Sequence, residues 1–347
     1  MSEIKKIDIR SLDKEEVRDY FKSIEEPKYR ADQVHQWLWQ KSAHDFDSMT
    51  NLSLELREKL KTHFEIKELS IDHRQVSSDG TRKYAFKLSD GKTVEGVLIP
   101  TKKRLTACIS TQVGCSLACE FCATGKLKRM RNLGYSEIYD QVIEIDKEAR
   151  EFHGRGLTNI VYMGMGEPLL NYKNTMESIN HITSELGLNM ASKRITVSTA
   201  GIAKMIEKMA DDGSKINLAL SLHAANDEKR DKIMAINESN DLGTLAEALK
   251  YYHNKTGQKV TYEYIIFKDF NDSIQDAKEL LAFCQHVPSK VNIIEYNDVD
   301  DGMFKKSPVE RVDAFVSYLE RNGVVAKVRR SRGEDIDAAC GQLANKV

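Results

Sequence analysis

The chain has 347 residues, 41% hydrophobic and 30% charged, with a formal net charge of −1. Length alone suggests one large domain and a smaller one, and near-neutrality excludes nucleic-acid binding by bulk charge, leaving only local patches. No run approaches about 18 apolar residues, which excludes a membrane span, and the start "MSEIKKIDIRSLDKEE" lacks the apolar centre of a signal peptide. A cytoplasmic protein is expected, whose thiols stay reduced, so clustered cysteines suggest metal or catalysis before structural disulfides.

Residues 1–70 read as a small helical module. Asp13 with Glu16 forms a capping-box pattern, followed by Val17, Tyr20, Phe21 and Ile24 at helical spacing. A second helix follows Pro27 with Val34, Trp37 and Leu38 on one face, and a third starts near Ser53 with Leu54, Leu56 and Leu60. Within residues 71–100 the period changes to two, and "RKYAFKL", "SDG" and "KTVEGVLIP" predict a β-hairpin acting as a linker. Strands and helices then alternate over residues 101–333. The predicted strands are 105–110, 159–163, 194–198, 216–222, 260–267 and 291–296, with a seventh possible at 324–328. Helices of suitable length, such as 136–152 and 273–284, lie between most of them. This alternation predicts an α/β fold with a parallel sheet, whose functional residues sit at the C-terminal strand ends. The polar tail, including 334–347, has no strong period and is predicted to be a mobile end.

The chemistry begins at "GCSLACEFCATG", where Cys115, Cys119 and Cys122 follow the first predicted strand with C-x3-C-x2-C spacing. Structural zinc normally takes four ligands, and neither a second C-x2-C nor a nearby His follows. Thiolates also suit iron–sulfur clusters, and a [4Fe–4S] cluster held by three cysteines leaves one iron open to a substrate. Other polar groups end predicted strands: Gly166 and Glu167 in "YMGMGEP", Ser198 in "ITVSTAG", Ser221 and His223 flanking Leu222 in "LSLHA", and Asn297 in "IEYN". Gly166 lets backbone approach a ligand closely, and Glu167 can accept hydrogen bonds from an ammonium group. Of the outlying cysteines, Cys284 fits a buried small residue, Cys108 lies on the first strand, and Cys340 sits among small residues in the polar tail as a candidate reactive thiol.

The cysteine spacing after a strand resembles the radical S-adenosylmethionine (SAM) signature. The combination of "CISTQVGCSLACEFCATG", "YMGMGEPLLNY", "ITVSTAGI", "LALSLHAA" and "IDAACGQL" resembles the RlmN family of adenine-C2 RNA methyltransferases and its Cfr-type relatives, which methylate adenine C8. The resemblance covers essentially the whole chain. It implies a partial (β/α)6 radical SAM barrel behind an N-terminal RNA-binding module, a [4Fe–4S] cluster on Cys115, Cys119 and Cys122, and SAM held by Gly166, Glu167, Ser198, Ser221, Leu222, His223 and Asn297. Two SAM molecules are used per turnover. One methylates Cys340, and the other yields the radical that activates the S-methyl group for addition to C2. Cys108 then resolves the adduct through a transient disulfide with Cys340, and Glu95 accepts the C2 proton. The implied partners are 23S rRNA, tRNA and a flavodoxin-type electron donor. The core motifs do not separate C2 from C8 chemistry, although the long helical N-terminus favours the RlmN type. A zinc-stabilised RNA-binding module without catalysis is the alternative of another class. The basic runs "TKKR", "KLKRMR" and "RRSR" flank the expected site and suit phosphate contacts. A target base would have to be unstacked to meet Cys340.

Overall fold

The computed structural model describes residues 6–299 and 302–345. Asp13 caps α1 (Lys14–Ser23), accepting from the Glu16 N–H at 2.8 Å while the Glu16 carboxylate accepts from the Asp13 N–H at 2.7 Å. This reciprocal box satisfies two orphan donors of the first turn. Pro27 precedes α2 (Lys28–Trp39), and Ser53 caps α3 (Leu54–His63). Leu54, expected on the packed face, is instead exposed at the helix start, whereas Leu56 and Leu60 are buried. Strands β1 (Ile7–Asp8) and β2 (Phe64–Glu65) pair in parallel and tie the ends of the module together.

The sheet begins with β3 (Ser70–Val76), β4 (Arg82–Lys87), β5 (Thr93–Pro100) and β6 (Leu105–Cys108). A small ladder of β7 (Gln112–Val113) and β8 (Arg131–Asn132) precedes α4 (Tyr135–His153). Then follow β9 (Asn159–Tyr162), α5 (Tyr172–Thr183), β10 (Ile195–Thr199), α6 (Ala203–Asp211), β11 (Asn217–Ser221), α7 (Asp227–Ile233), α8 (Leu242–Thr256), β12 (Val260–Ile266), α9 (Ile274–Cys284), β13 (Ser289–Glu295), α10 (Val309–Arg321) and β14 (Val325–Arg329). The ten-stranded sheet has the order β14-β13-β12-β11-β10-β9-β6-β5-β4-β3. Strands β6 and β9 to β14 run parallel, a partial barrel with the seventh strand in place. Their sides bury Ile160, Val197, Leu218, Leu220, Tyr262, Ile266 and Ile293, as expected where helices cover a parallel sheet.

Two features differ from the sequence expectation. The hairpin is not a free bridge: β5 pairs antiparallel with β6, so β3 to β5 continue the barrel sheet. Nor is the tail loose. Asp335 accepts from Ser77 Oγ at 2.6 Å and the Ser78 N–H at 3.0 Å, and Asp79 accepts from the Gly333 N–H at 3.1 Å. The Gly341 carbonyl accepts from the Ala123 N–H at 2.7 Å, and the Leu343 carbonyl accepts from Thr124 Oγ1 at 2.5 Å. Such long-range bonds hold a segment without regular periodicity, so hydropathy patterning misses them.

The N-terminal module meets the barrel at α4 and α5. Trp39 stacks on His181 with ring centres 3.7 Å apart. Arg10 Nη1 donates to both Asp140 oxygens at 2.7 and 2.9 Å, and both side chains are buried. Asp140→Ala removes the buried carboxylate that takes both Nη1 bonds, leaving the guanidinium only Asp8 at 3.9 Å and the Lys67 carbonyl, and a loss of about 3 kcal/mol is expected. Urea unfolding of the two proteins measures it, and a loss below about 1 kcal/mol would deny the pair its role in joining module to barrel.

Candidate active site

The cysteine loop is closed at its base by β7 and β8 and by the Met130 N–H donating to the Val113 carbonyl at 2.8 Å. Inside it, the Cys122 N–H donates to the Cys119 carbonyl at 3.1 Å, and the Gly125 N–H to the Cys122 carbonyl at 3.0 Å. Gly125 is required by crowding, since a Cβ there would lie 2.8 Å from the Cys119 carbonyl oxygen. Cys115, Cys119 and Cys122 all line one cavity of about 150 Å³ that opens to solvent.

The C-terminal ends of the parallel strands supply the opposite wall. After β9, Gly166 takes φ +93°, and a Cβ there would fall 2.5 Å from that of Gln112. Glu167 is buried, and its two oxygens accept from the Leu169 and Ala200 N–H groups at 3.0 and 2.8 Å. Burial raises its pKa against these backbone donors. Ser198 and Ser221 hydrogen-bond at 3.2 Å from adjacent strands. His223 Nδ1 accepts from the Ile265 N–H at 3.1 Å, which leaves the proton of the neutral ring on Nε2. Burial and nearby Arg230 lower the His223 pKa to about 3, so the ring acts as a fixed neutral group. Ser198, Ser221 and His223 line the cavity with Gly166 and Glu167. Leu222 is placed otherwise: its side chain joins the core, its N–H donates to the Glu263 carbonyl, and its carbonyl accepts from Arg230 Nε.

A second cavity adjoins the first and is lined by Cys108, Asn297, Arg329 and Cys340. Asn297 therefore faces the tail. Its Nδ2 donates to the Cys340 carbonyl at 3.1 Å, and its Oδ1 accepts from Ser331 Oγ. Cys340 is exposed and lines both cavities, whereas Cys108 is buried, and burial followed by the neighbouring Cys340 pushes its pKa up to about 12. All six cysteines are free thiols. The implied Cys108–Cys340 disulfide is thus absent, although both thiols reach the same cavity; a bond made only during turnover has no place in the reduced fold. Glu95 is buried, 1% exposed, and lines neither cavity. Its Oε1 lies 3.3 Å from Lys83 Nζ, and its Oε2 accepts from the Ala344 and Asn345 N–H groups.

Two further site residues were missed as such. Glu263 and Arg329 line the first cavity and lie 3.2 Å apart, with Arg329 continuing into the second. Glu263 had a legible signal, a lone carboxylate inside the apolar strand "VTYEYII". Arg329 was read with its basic run as a phosphate contact. Arg131 is likewise committed, at 2.7 Å from both Asp90 and Glu137, whereas Lys102, Lys103, Arg104, Lys128, Arg129 and Arg330 are exposed.

The three loop thiols can be tested against a metal group by their own chemistry. Burial raises all three pKa values, to about 11 at Cys115, and neighbouring thiols add to it, Cys122 at Cys115 and Cys119, and Cys340 at Cys122. Buried thiols of raised pKa become thiolates only beside a cationic centre, which iron would supply. Among the described residues no group of three or more His, Cys, Asp or Glu is gathered around one point.

Comparison with known proteins agrees with this geometry. Residues 7–66 match the ribosomal RNA large subunit methyltransferase N-terminal domain, and residues 109–283 match the radical SAM superfamily. A "Probable dual-specificity RNA methyltransferase RlmN" of Christiangramia forsetii is 56% identical over 99% of this chain and 97% of its own. A protein of the same designation from Flavobacterium psychrophilum is 55% identical over 99% of both chains. The crystal structure of a radical SAM methyltransferase from Sphaerobacter thermophilus superposes with a TM-score of 0.92 at 39% identity, covering 98% of this chain and 100% of that one. Membership implies SAM and a cysteine-ligated iron–sulfur site and sets aside the zinc module. No helix among the described residues is long and apolar enough to cross a membrane. The chain belongs to the RlmN family of radical SAM RNA methyltransferases.

Proposed function

We propose that the protein methylates C2 of adenosine in 23S rRNA, at the peptidyl-transferase centre, and in tRNA beside the anticodon. The observation that carries this reading is the position of Cys340. It lines one cavity with the three loop cysteines and a second with Cys108. A methyl carrier must reach both the residues that would hold SAM and the thiol that would release the product, and Cys340 borders both.

Adenine C2 is bonded to two ring nitrogens and is a poor nucleophile, so direct displacement on a sulfonium methyl is slow. Cys115, Cys119 and Cys122 would hold a [4Fe–4S] cluster, and Gly166, Glu167, Ser198, Ser221 and His223 would surround SAM. When bound, these groups supply the methyl group and a 5′-deoxyadenosyl radical, two SAM molecules being used per turnover. The Cys340 sulfur carries the methyl group and stays joined to the adenine until the Cys108 thiol attacks it. Glu95 is the candidate acceptor of the C2 proton; its carboxylate lies beneath the tail bearing Cys340. A cytoplasmic setting and a flavodoxin-type electron donor complete the reading.

Mass spectrometry of RNA from a deletion strain tests it. Loss of 2-methyladenosine is expected. Its retention, or loss of 8-methyladenosine instead, would overturn the C2 assignment.

A further inference from the structure

Lys83 and Glu95 are opposite charges inside a sheet whose neighbouring positions Tyr84, Phe86, Val94 and Val97 are apolar. In the antiparallel register Ala85 faces Glu95 and Lys83 faces Val97, so the two charges are diagonal neighbours on one face. Lys83 is 4% exposed and Glu95 1%. A buried pair at best breaks even against an apolar pair of similar volume, so stability alone does not account for it.

The second carboxylate oxygen gives the reason. Glu95 Oε2 accepts the consecutive N–H groups of Ala344 and Asn345 at 2.8 and 3.0 Å. Asn345 takes φ +54°, and its Nδ2 donates to the Thr93 carbonyl at 2.9 Å. Two successive amides turned onto one anion form a small nest, and such charge-assisted bonds are the stronger kind. Cys340, four residues earlier, is exposed and followed by Gly341 at φ +88°, so side-chain packing does little to fix the thiol. Its backbone is held by Asn297 and Ala123 at the Cys340 and Gly341 carbonyls, and the segment is tied down on either side: by Asp335 on the β3–β4 turn before it, and by Glu95 after it.

We propose that Lys83 and Glu95 are positioning residues, a buried pair that fastens the chain's last turn and thereby holds Cys340 where the two cavities meet. Lys83 pairs with the carboxylate and aims it, and the carboxylate holds the tail. While the tail is docked Glu95 is covered, so it becomes available to a proton only when the segment bearing Cys340 shifts. The proposal rests on Cys340 as the methyl carrier for its consequence, though not for the fastening itself.

The test uses full-length, iron-loaded protein. In Lys83→Met, deuterium exchange of the peptide 338–347 should quicken by at least about tenfold, since bonds to a charged group are lost, with exchange elsewhere and iron content unchanged. Methylation of Cys340 by SAM without RNA should slow by about the same factor, and Lys83→Arg should restore both. A chain ending at Leu343 removes the two amide donors while keeping both Lys83 and Glu95, and should show the same slow loading; it serves if Lys83→Met does not fold. Unchanged tail exchange in Lys83→Met, or full loading speed in the shortened chain, overturns the fastening. Absence of S-methylation in the unaltered protein would refute the carrier reading instead, leaving the exchange result to stand.

Discussion

Cys340→Ala should give a folded, iron-loaded protein that transfers no methyl group to RNA. The folding part follows from exposure. The Cys340 side chain is open to solvent, and such substitutions usually change stability by no more than about 0.5 kcal/mol. What anchors the segment is backbone: the Cys340 carbonyl accepts from Asn297, and the Gly341 carbonyl from Ala123. Alanine keeps both. The cluster thiols lie in a separate loop, so iron and sulfide content should match the unaltered protein. Only the sulfur at the junction of the cavities is lost, and no neighbouring side chain offers a second exposed thiol: Cys108 is buried beside it, and Cys122 is committed to the cluster in this reading. The measurement is mass spectrometry of RNA after incubation with the variant and SAM under reducing, anaerobic conditions. Any methylated adenosine above background would exclude Cys340 as carrier.

Much of this site was legible because its parts are local. C-x3-C-x2-C lies within eight residues, and each strand end announces itself by a polar residue after an apolar run. Capping at Asp13 and Ser53 is likewise a matter of three-residue spacing. What the sequence concealed is long-range. That the 71–100 hairpin joins the barrel depends on β5 meeting β6, and that the tail is docked depends on Glu95 meeting residues some 250 positions away. Burial of Glu95 could be suspected from its apolar neighbours, but its pairing with Lys83 needs the antiparallel register. Side-chain direction is hidden in the same way: the Leu222 side chain turns into the core, so any ligand contact there would be made by its backbone, and Asn297 reaches the tail from the rim of the second cavity.

Cys108→Ala should trap the RNA on Cys340. In the proposed sequence the adenine is joined through a methylene bridge to the Cys340 sulfur. Attack by the Cys108 thiolate forms the S–S bond and breaks the S–CH2 bond, and the departing carbon keeps the electron pair and takes up a proton. Without Cys108 the other thiol at that cavity is Cys122, which in this reading holds the cluster, so a protein–RNA band should survive denaturing gels even with reductant, because the link is a thioether. Free, unmodified RNA throughout would argue against this division of labour. The environment of Cys108 adds a second readout. Its pKa is pushed up to about 12 by burial and by Cys340, against the lowering effect of Arg329. Below that value the thiolate fraction grows about tenfold per pH unit, and a thiolate of high pKa is intrinsically the stronger nucleophile. Release of methylated RNA from the unaltered enzyme should therefore quicken between pH 7 and pH 9, on the order of tenfold per unit, when the adduct is formed first and the pH is then shifted. A flat profile would count against Cys108 as the attacking thiol.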